Sequence, residues 1–249
     1  MFSRHPTASA LAAEHFGFAH PVDTSPATET AVHGLPMRRQ HTDCGTYYTL
    51  TTGHPASWSL ADRRLRIAAI AAVLHDIAPE RVECTLVCGI GSRHLTADAL
   101  GPMVCERLPT FSDAYGARLC MYIPGVGART GIPTVPLCKA AAELCHAQRI
   151  IAVDALSAQS ADTLERVVQL SGDAITPGGG TGVYAEEISS RTMPCPVCTI
   201  GLPTVIRASA LCGSVSADEL FVTASDVDTA VSRYAEILAG AIARFVLHG

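Results

Sequence analysis

Apolar residues along this chain come in short runs separated by polar breaks, and the spacing inside each run assigns the elements. Between Leu60 and Ile77 they recur at intervals of three and four, which predicts an amphipathic helix, and Ser59 with Asp62 supplies a capping pattern at its start. The same period predicts helices over Asp98 to Leu108, Val135 to Ala147 and Ala224 to Leu247. Compact apolar runs predict strands at Tyr47 to Thr52, Glu83 to Gly89, Arg118 to Ile123, Arg149 to Val153, Val167 to Leu170 and Val197 to Gly201. Strands that alternate with helices at this spacing define an α/β fold. It is read as a three-layer, hydrolase-like arrangement, a mostly parallel sheet with helices on both faces.

Residues 1 to 44 lack a sustained period. They are read as an N-terminal arm and possible pro-segment, with at most a short helix near Ser9 to Phe16, ahead of a single α/β domain from 45 to 249. At 249 residues the chain can bury one large core, and no Pro/Gly/Ser-rich linker divides it. The residues are 48% hydrophobic and only 16% charged, so a surface poor in charge points to a homo-oligomer. The formal net charge of -5 carries no basic footprint for nucleic acid. The first twenty residues contain neither a signal-peptide core nor a membrane span, which predicts a cytoplasmic protein.

Most of the ten cysteines fall inside apolar strands and helices, where a reduced thiol packs as a small hydrophobe. Cys195 and Cys198 have metal-like spacing, but no second ligand pair follows, and in a strand their odd separation sends them to opposite faces. No metal and no other cofactor is therefore expected. The Gly89 to Gly91 turn departs from a dinucleotide fingerprint at His94. The PGGGTG run at 177 to 182 lacks the lysine of a phosphate loop, and Gly178 and Gly179 are read as the substrate-facing wall of a cleft.

The chemistry that remains is carboxylate. IAVDALSA, residues 151 to 158, runs a strand pattern straight into Asp154, and Asp98 in TADALGPMV follows the apolar run CTLVCGIG. Either aspartate alone reads as a helix cap. Together, at the carboxyl ends of parallel strands where open α/β sheets bind ligands, they read as a catalytic pair: mutual repulsion holds one proton and leaves one acid and one base around a water. Arg129, in the PGVGARTG loop, is the candidate for orienting substrate, since its fork suits a carboxylate.

IGSRHLTADALGPMV, YIPGVGARTGIPT, IIAVDALSAQS, VVQLSGDAITPGGGTG and VCTIGLPTVIRA, in this order, resemble the germination protease (spore protease) family, and ELFVTASDVDTAVSRYAEILAGAI resembles its C-terminal segment. The resemblance runs from about residue 40 to 247. It implies that Asp98 and Asp154 match the proposed catalytic aspartates and that the fold is similar to that of hydrogenase-maturation proteases. It further implies a zymogen-derived, tetrameric, sequence-specific endopeptidase of the spore core, degrading small acid-soluble spore proteins during germination. The chain departs from the pattern in a degenerate N-terminal motif, in a short stretch between Ala208 and Leu220, and in Thr176, which stands where the family tends to have histidine. Thr176 removes an imidazole ligand, which favours a metal-free mechanism. The rival readings are a metal-assisted maturation-type protease with the same aspartates and His94 as ligands, and a non-catalytic protease-like binding protein.

Overall fold

A computed structural model describes residues 27–42, 45–108, 118–176, 186–212 and 220–248. In chain order the elements are β1 (Thr28–Val32), β2 (Leu35–Thr42), β3 (Gly45–Thr51), a 3-10 turn (Pro55–Ser57), α1 (Leu60–Ile77) and β4 (Cys84–Gly89). A second 3-10 turn (Thr96–Asp98), α2 (Leu100–Arg107), β5 (Arg118–Tyr122), α3 (Gly127–Thr130), α4 (Thr134–Cys145) and β6 (Arg149–Ala158) follow. The chain closes with β7 (Val167–Ser171), β8 (Val197–Arg207), α5 (Ala208–Cys212), β9 (Phe221–Val222) and α6 (Val227–His248).

The strands form one nine-stranded sheet in the order β1-β2-β3-β7-β8-β6-β4-β5, with β9 paired to β8. Helices cover both faces, as the alternating pattern predicts. Parallel pairing is confined to β8-β6-β4-β5, and the β1-β2-β3-β7 half joins it by antiparallel pairs, so the sheet is mixed. Residues 28–42, read from the sequence as part of an arm, extend this sheet as a hairpin. Its two-residue turn, His33 and Gly34, has φ of 50° and 80°, the positive pair that matches the twist of a tight hairpin.

Period two along the central strands sorts side chains into two cores. Val87, Ile151, Val153, Val168, Leu170, Ile200 and Leu202 meet α1, α2 and α6 on one face. Leu86, Cys88, Ile150, Ala152, Leu156 and Val197 meet α4 and the Ile175, Ile188 and Met193 side chains on the other. Burial on both faces explains why β4 and β6 read as unbroken apolar runs. Helix α1 begins at the capping box expected of Ser59 and Asp62, each side chain bonding the other's backbone N–H. Its Ile67 lies against Gly240 of α6, where a side chain would crowd the crossing.

Candidate active site

Strand β4 ends at Gly89, and the Ile90 N–H donates to the Val153 carbonyl at 2.8 Å, so the chain leaves β4 while still held to β6 beside Asp154. The next residue, Gly91, has φ of 111°, and a Cβ there would lie 2.9 Å from Oδ1 of Asp98. Only glycine permits this approach. The loop closes through Ser92 N–H to the Asp98 carbonyl at 3.0 Å and Asp98 N–H to the Leu95 carbonyl at 2.9 Å. Thr204 Oγ1 ties it to β8 by donating to the Ala97 carbonyl at 2.6 Å. Helix α2 then packs back on the strands: a Cβ on its Gly101 would strike the Ile90 backbone and the Val153 carbonyl.

Asp98 is half-buried, and loss of water pushes its carboxyl up to about 6, against an opposing hydrogen bond from the Ser92 backbone. It does not cap α2, whose N-cap is Ala99 and has no side-chain cap bond. Asp154 is 2% exposed, pairs with Gly201 across to β8, and accepts the Ala155 N–H on Oδ1 at 2.8 Å. Alternation puts it on the face of Ala152 and Leu156. The strand expected to stop at Val153 runs on to Ala158, and its partner β8 to Arg207 instead of Gly201: Leu156 is buried, and pairing continues past a bulge between Leu156 and Ser157 that shifts the register by one residue. Asp154 therefore lies inside a strand and not at a helix start.

Helix α3 follows β5 at the same sheet end and carries Arg129, whose Nη1 donates to Ser92 Oγ at 3.5 Å. Ser92 also accepts the His94 backbone N–H, while the His94 side chain is exposed. Thus Asp98 and His94 share the loop after β4, Arg129 reaches that loop from α3 through Ser92, and Asp154 lies on the adjacent strand β6. Gly178 and Gly179 lie outside the described residues. Thr176 follows the Ile175–Ile188 bridge, which the chain reaches from Ser171 of β7, opposite Thr199 near the amino end of β8. Cys195 packs with the α4-side core and Cys198 with the other, the opposite faces that their spacing predicts.

A second polar group was not legible in the sequence. His54 Nε2 lies 3.5 Å from Glu165 Oε2 and 3.6 Å from Asp226 Oδ2, and the three donor atoms fall within 4.8 Å of one another. The residues come from the segment after β3, the approach to β7 and the approach to α6, and no motif links them. Burial, then the Asp226 charge, pushes the Glu165 carboxyl up to about 7. The thiols of Cys84, Cys120 and Cys145 also lie within 4.8 Å of one another, near the amino ends of β4 and β5.

An α/β fold with one carboxyl on the loop that leaves β4 and another on the neighbouring strand β6 is an architecture open to hydrolytic chemistry. Residues 59–217 match the family model described as germination protease, well over half of the chain, and the protein belongs to that family. A germination protease of Clostridium perfringens is 30% identical over 155 residues, covering 58% of this chain and 47% of the relative. One of Oceanobacillus iheyensis is 38% identical over 133 residues (49% and 36%), and one of Bacillus subtilis 32% over 148 (55% and 40%). The chain thus spans about half, or less, of the length of the curated relatives it matches. Among solved structures, a [NiFe] hydrogenase maturation protease from Thermococcus kodakarensis aligns with a TM-score of 0.43 and 21% identity, over 70% of this chain and 98% of that one. Among the described residues no helix is long and apolar enough to cross a membrane.

Proposed function

We propose that this protein is a sequence-specific endopeptidase of the spore-protease type that degrades small acid-soluble spore proteins during germination, with Asp98 and Asp154 activating water. The observation that supports the reading is where the two carboxyls stand: Asp98, half-buried, on the loop that leaves β4, and Asp154, buried, on the adjacent strand β6. Asp154 acts as base, taking a proton from water as its oxygen attacks the peptide carbonyl. Asp98, whose raised carboxyl keeps its proton further toward neutral pH than an ordinary aspartate, donates it to the leaving nitrogen as the C–N bond breaks. Arg129 orients the substrate from the facing helix, and Gly178 and Gly179 form part of the cleft wall. Family membership supports the substrate class, a spore-core setting, a zymogen origin and assembly as a homo-oligomer.

Incubation of purified protein with a small acid-soluble spore protein, with cuts mapped by mass spectrometry, tests the proposal. Asp98→Asn and Asp154→Asn should each reduce cleavage by about 100-fold or more while the fold persists, since an amide keeps the shape but moves no proton. Near wild-type cleavage by either folded variant would remove that residue from the mechanism.

A further inference from the structure

We propose that His54, Glu165 and Asp226 form a binding site for a divalent first-row cation of the Zn2+ or Mn2+ type, separate from the aspartate pair. Glu165 is fully buried, and among the described residues neither of its carboxylate oxygens accepts a hydrogen bond. A buried carboxylate is costly unless it is paired or bound to a metal; the His54 imidazole lies 3.5 Å from it, and the Arg166 charge acts on it without forming a salt bridge among the described residues. Asp226 is 44% exposed at the side chain and opens the group to solvent, which gives an ion its path.

The donor set and spacing match such an ion. One imidazole nitrogen and two carboxylate oxygens suit first-row divalent metals, and donors at about 2.1 Å from a tetrahedral ion stand about 3.4 Å apart. The two contacts of His54 measure 3.5 and 3.6 Å, and rotation of the exposed Asp226 closes the third side. Two carboxylates and a neutral imidazole balance a doubly charged ion, with water completing the coordination. Loading shifts the imidazole proton from Nε2 to Nδ1 and gives up a long contact, the 3.4 Å hydrogen bond from the Ala56 N–H.

The backbone around Glu165 is built to hold it. Its φ is 55°, an unusual value for a residue with a side chain, and its N–H donates to the Pro203 carbonyl at 2.8 Å. The buried Tyr234 hydroxyl donates to its carbonyl at 3.0 Å and meets Thr52 Oγ1 at 2.6 Å. An ion here fastens the segment after β3, the approach to β7 and the start of α6 to one another.

Mn2+ is the reporting probe, because the thiols of Cys84, Cys120 and Cys145 compete for Zn2+ but offer a poor site to a harder ion. Metal-stripped full-length protein is titrated with Mn2+, bound ion is counted by electron paramagnetic resonance, and melting is followed in parallel. One ion per chain should bind and raise the melting temperature. Glu165→Gln and Asp226→Asn should each weaken binding at least tenfold, whereas Cys120→Ser leaves it unchanged. Metal-stripped Glu165→Gln should melt no lower than the stripped wild type, which separates lost binding from lost folding; Asp226→Asn, at an exposed position, gives the same reading if the buried change misfolds. Absence of any Mn2+-dependent rise at millimolar ion, or equal binding by the folded variants, would leave the group as a histidine–carboxylate ion pair and overturn the proposal.

Discussion

At the scale of single residues, the proposed mechanism places a cost on the fold. Asp98 holds its proton up to about pH 6 in the folded chain, against an ordinary value of 3.8. Its contribution to stability is fully present below the ordinary value and is lost as pH rises through 6, where the folded state must carry a half-buried charge. The difference amounts to roughly 2–3 kcal/mol by pH 8. Asp98→Asn removes that charge and should unfold at higher urea than wild type at pH 8, with the gap closing toward pH 4. Urea melts at the two values measure it. Equal stability at pH 8 would mean that the carboxylate is well solvated and lacks the raised acidity assigned to it. The same substitution should abolish cleavage, so activity and stability move in opposite directions at this position.

At the scale of elements, what the sequence revealed depended on whether the deciding contacts were local. Ser59, Asp62 and the apolar period of Leu60–Ile77 announce α1 because capping and helical spacing are both short-range. The local pattern ends β6 at Val153 because Asp154 reads as a terminus; its continuation depends on pairing with β8, which no local pattern displays. β1 and β2 carry a weak apolar signal, because most of their residues are polar and only Met37, with the partly buried Val32 and Leu35, packs on the core; the His33-Gly34 turn is the local sign of the hairpin. Asp98 and Asp154 stand out as candidates in the sequence because each follows an apolar run. His54, Glu165 and Asp226 do not, since three long-range packings bring them together. The packing of α2 against the strands gives a prediction of its own. Gly101→Ala drives a methyl into the Ile90 and Val153 backbones, which cannot turn aside as a side chain would. It should cost about 3 kcal/mol in chemical denaturation and depress cleavage by displacing the Asp98 loop. Wild-type stability and activity would show that α2 can back away from the strands.

At the scale of the whole molecule, the sheet limits where an activating cut can fall. β2 pairs with β3 from Met37 opposite Leu50 to Thr42 opposite Gly45, and Met37 belongs to the same core as α1 and α6. β1 in turn pairs with β2 and exposes Thr28, Glu29 and Thr30, a suitable outer edge because unpaired backbone flanked by charge and polarity resists pairing with other chains. Removal of residues 1–26 leaves this arrangement whole, whereas removal of 1–44 strips two strands and leaves β3, which carries the buried Tyr47, Tyr48 and Leu50, as a bare edge. If the N-terminal segment silences a precursor, as family membership leads us to propose, the productive cut lies before Thr28. A chain beginning at Ala27 should melt with the full-length protein and cleave spore protein at least as fast. A chain beginning at Gly45 should lose several kcal/mol of stability and elute as larger species, because the exposed edge of β3 recruits other chains. Size-exclusion chromatography, thermal melts and cleavage assays on the two truncations separate these outcomes. Full activity and a monodisperse profile from the shorter chain would make β1 and β2 a dispensable cover and move the permitted cut past the hairpin.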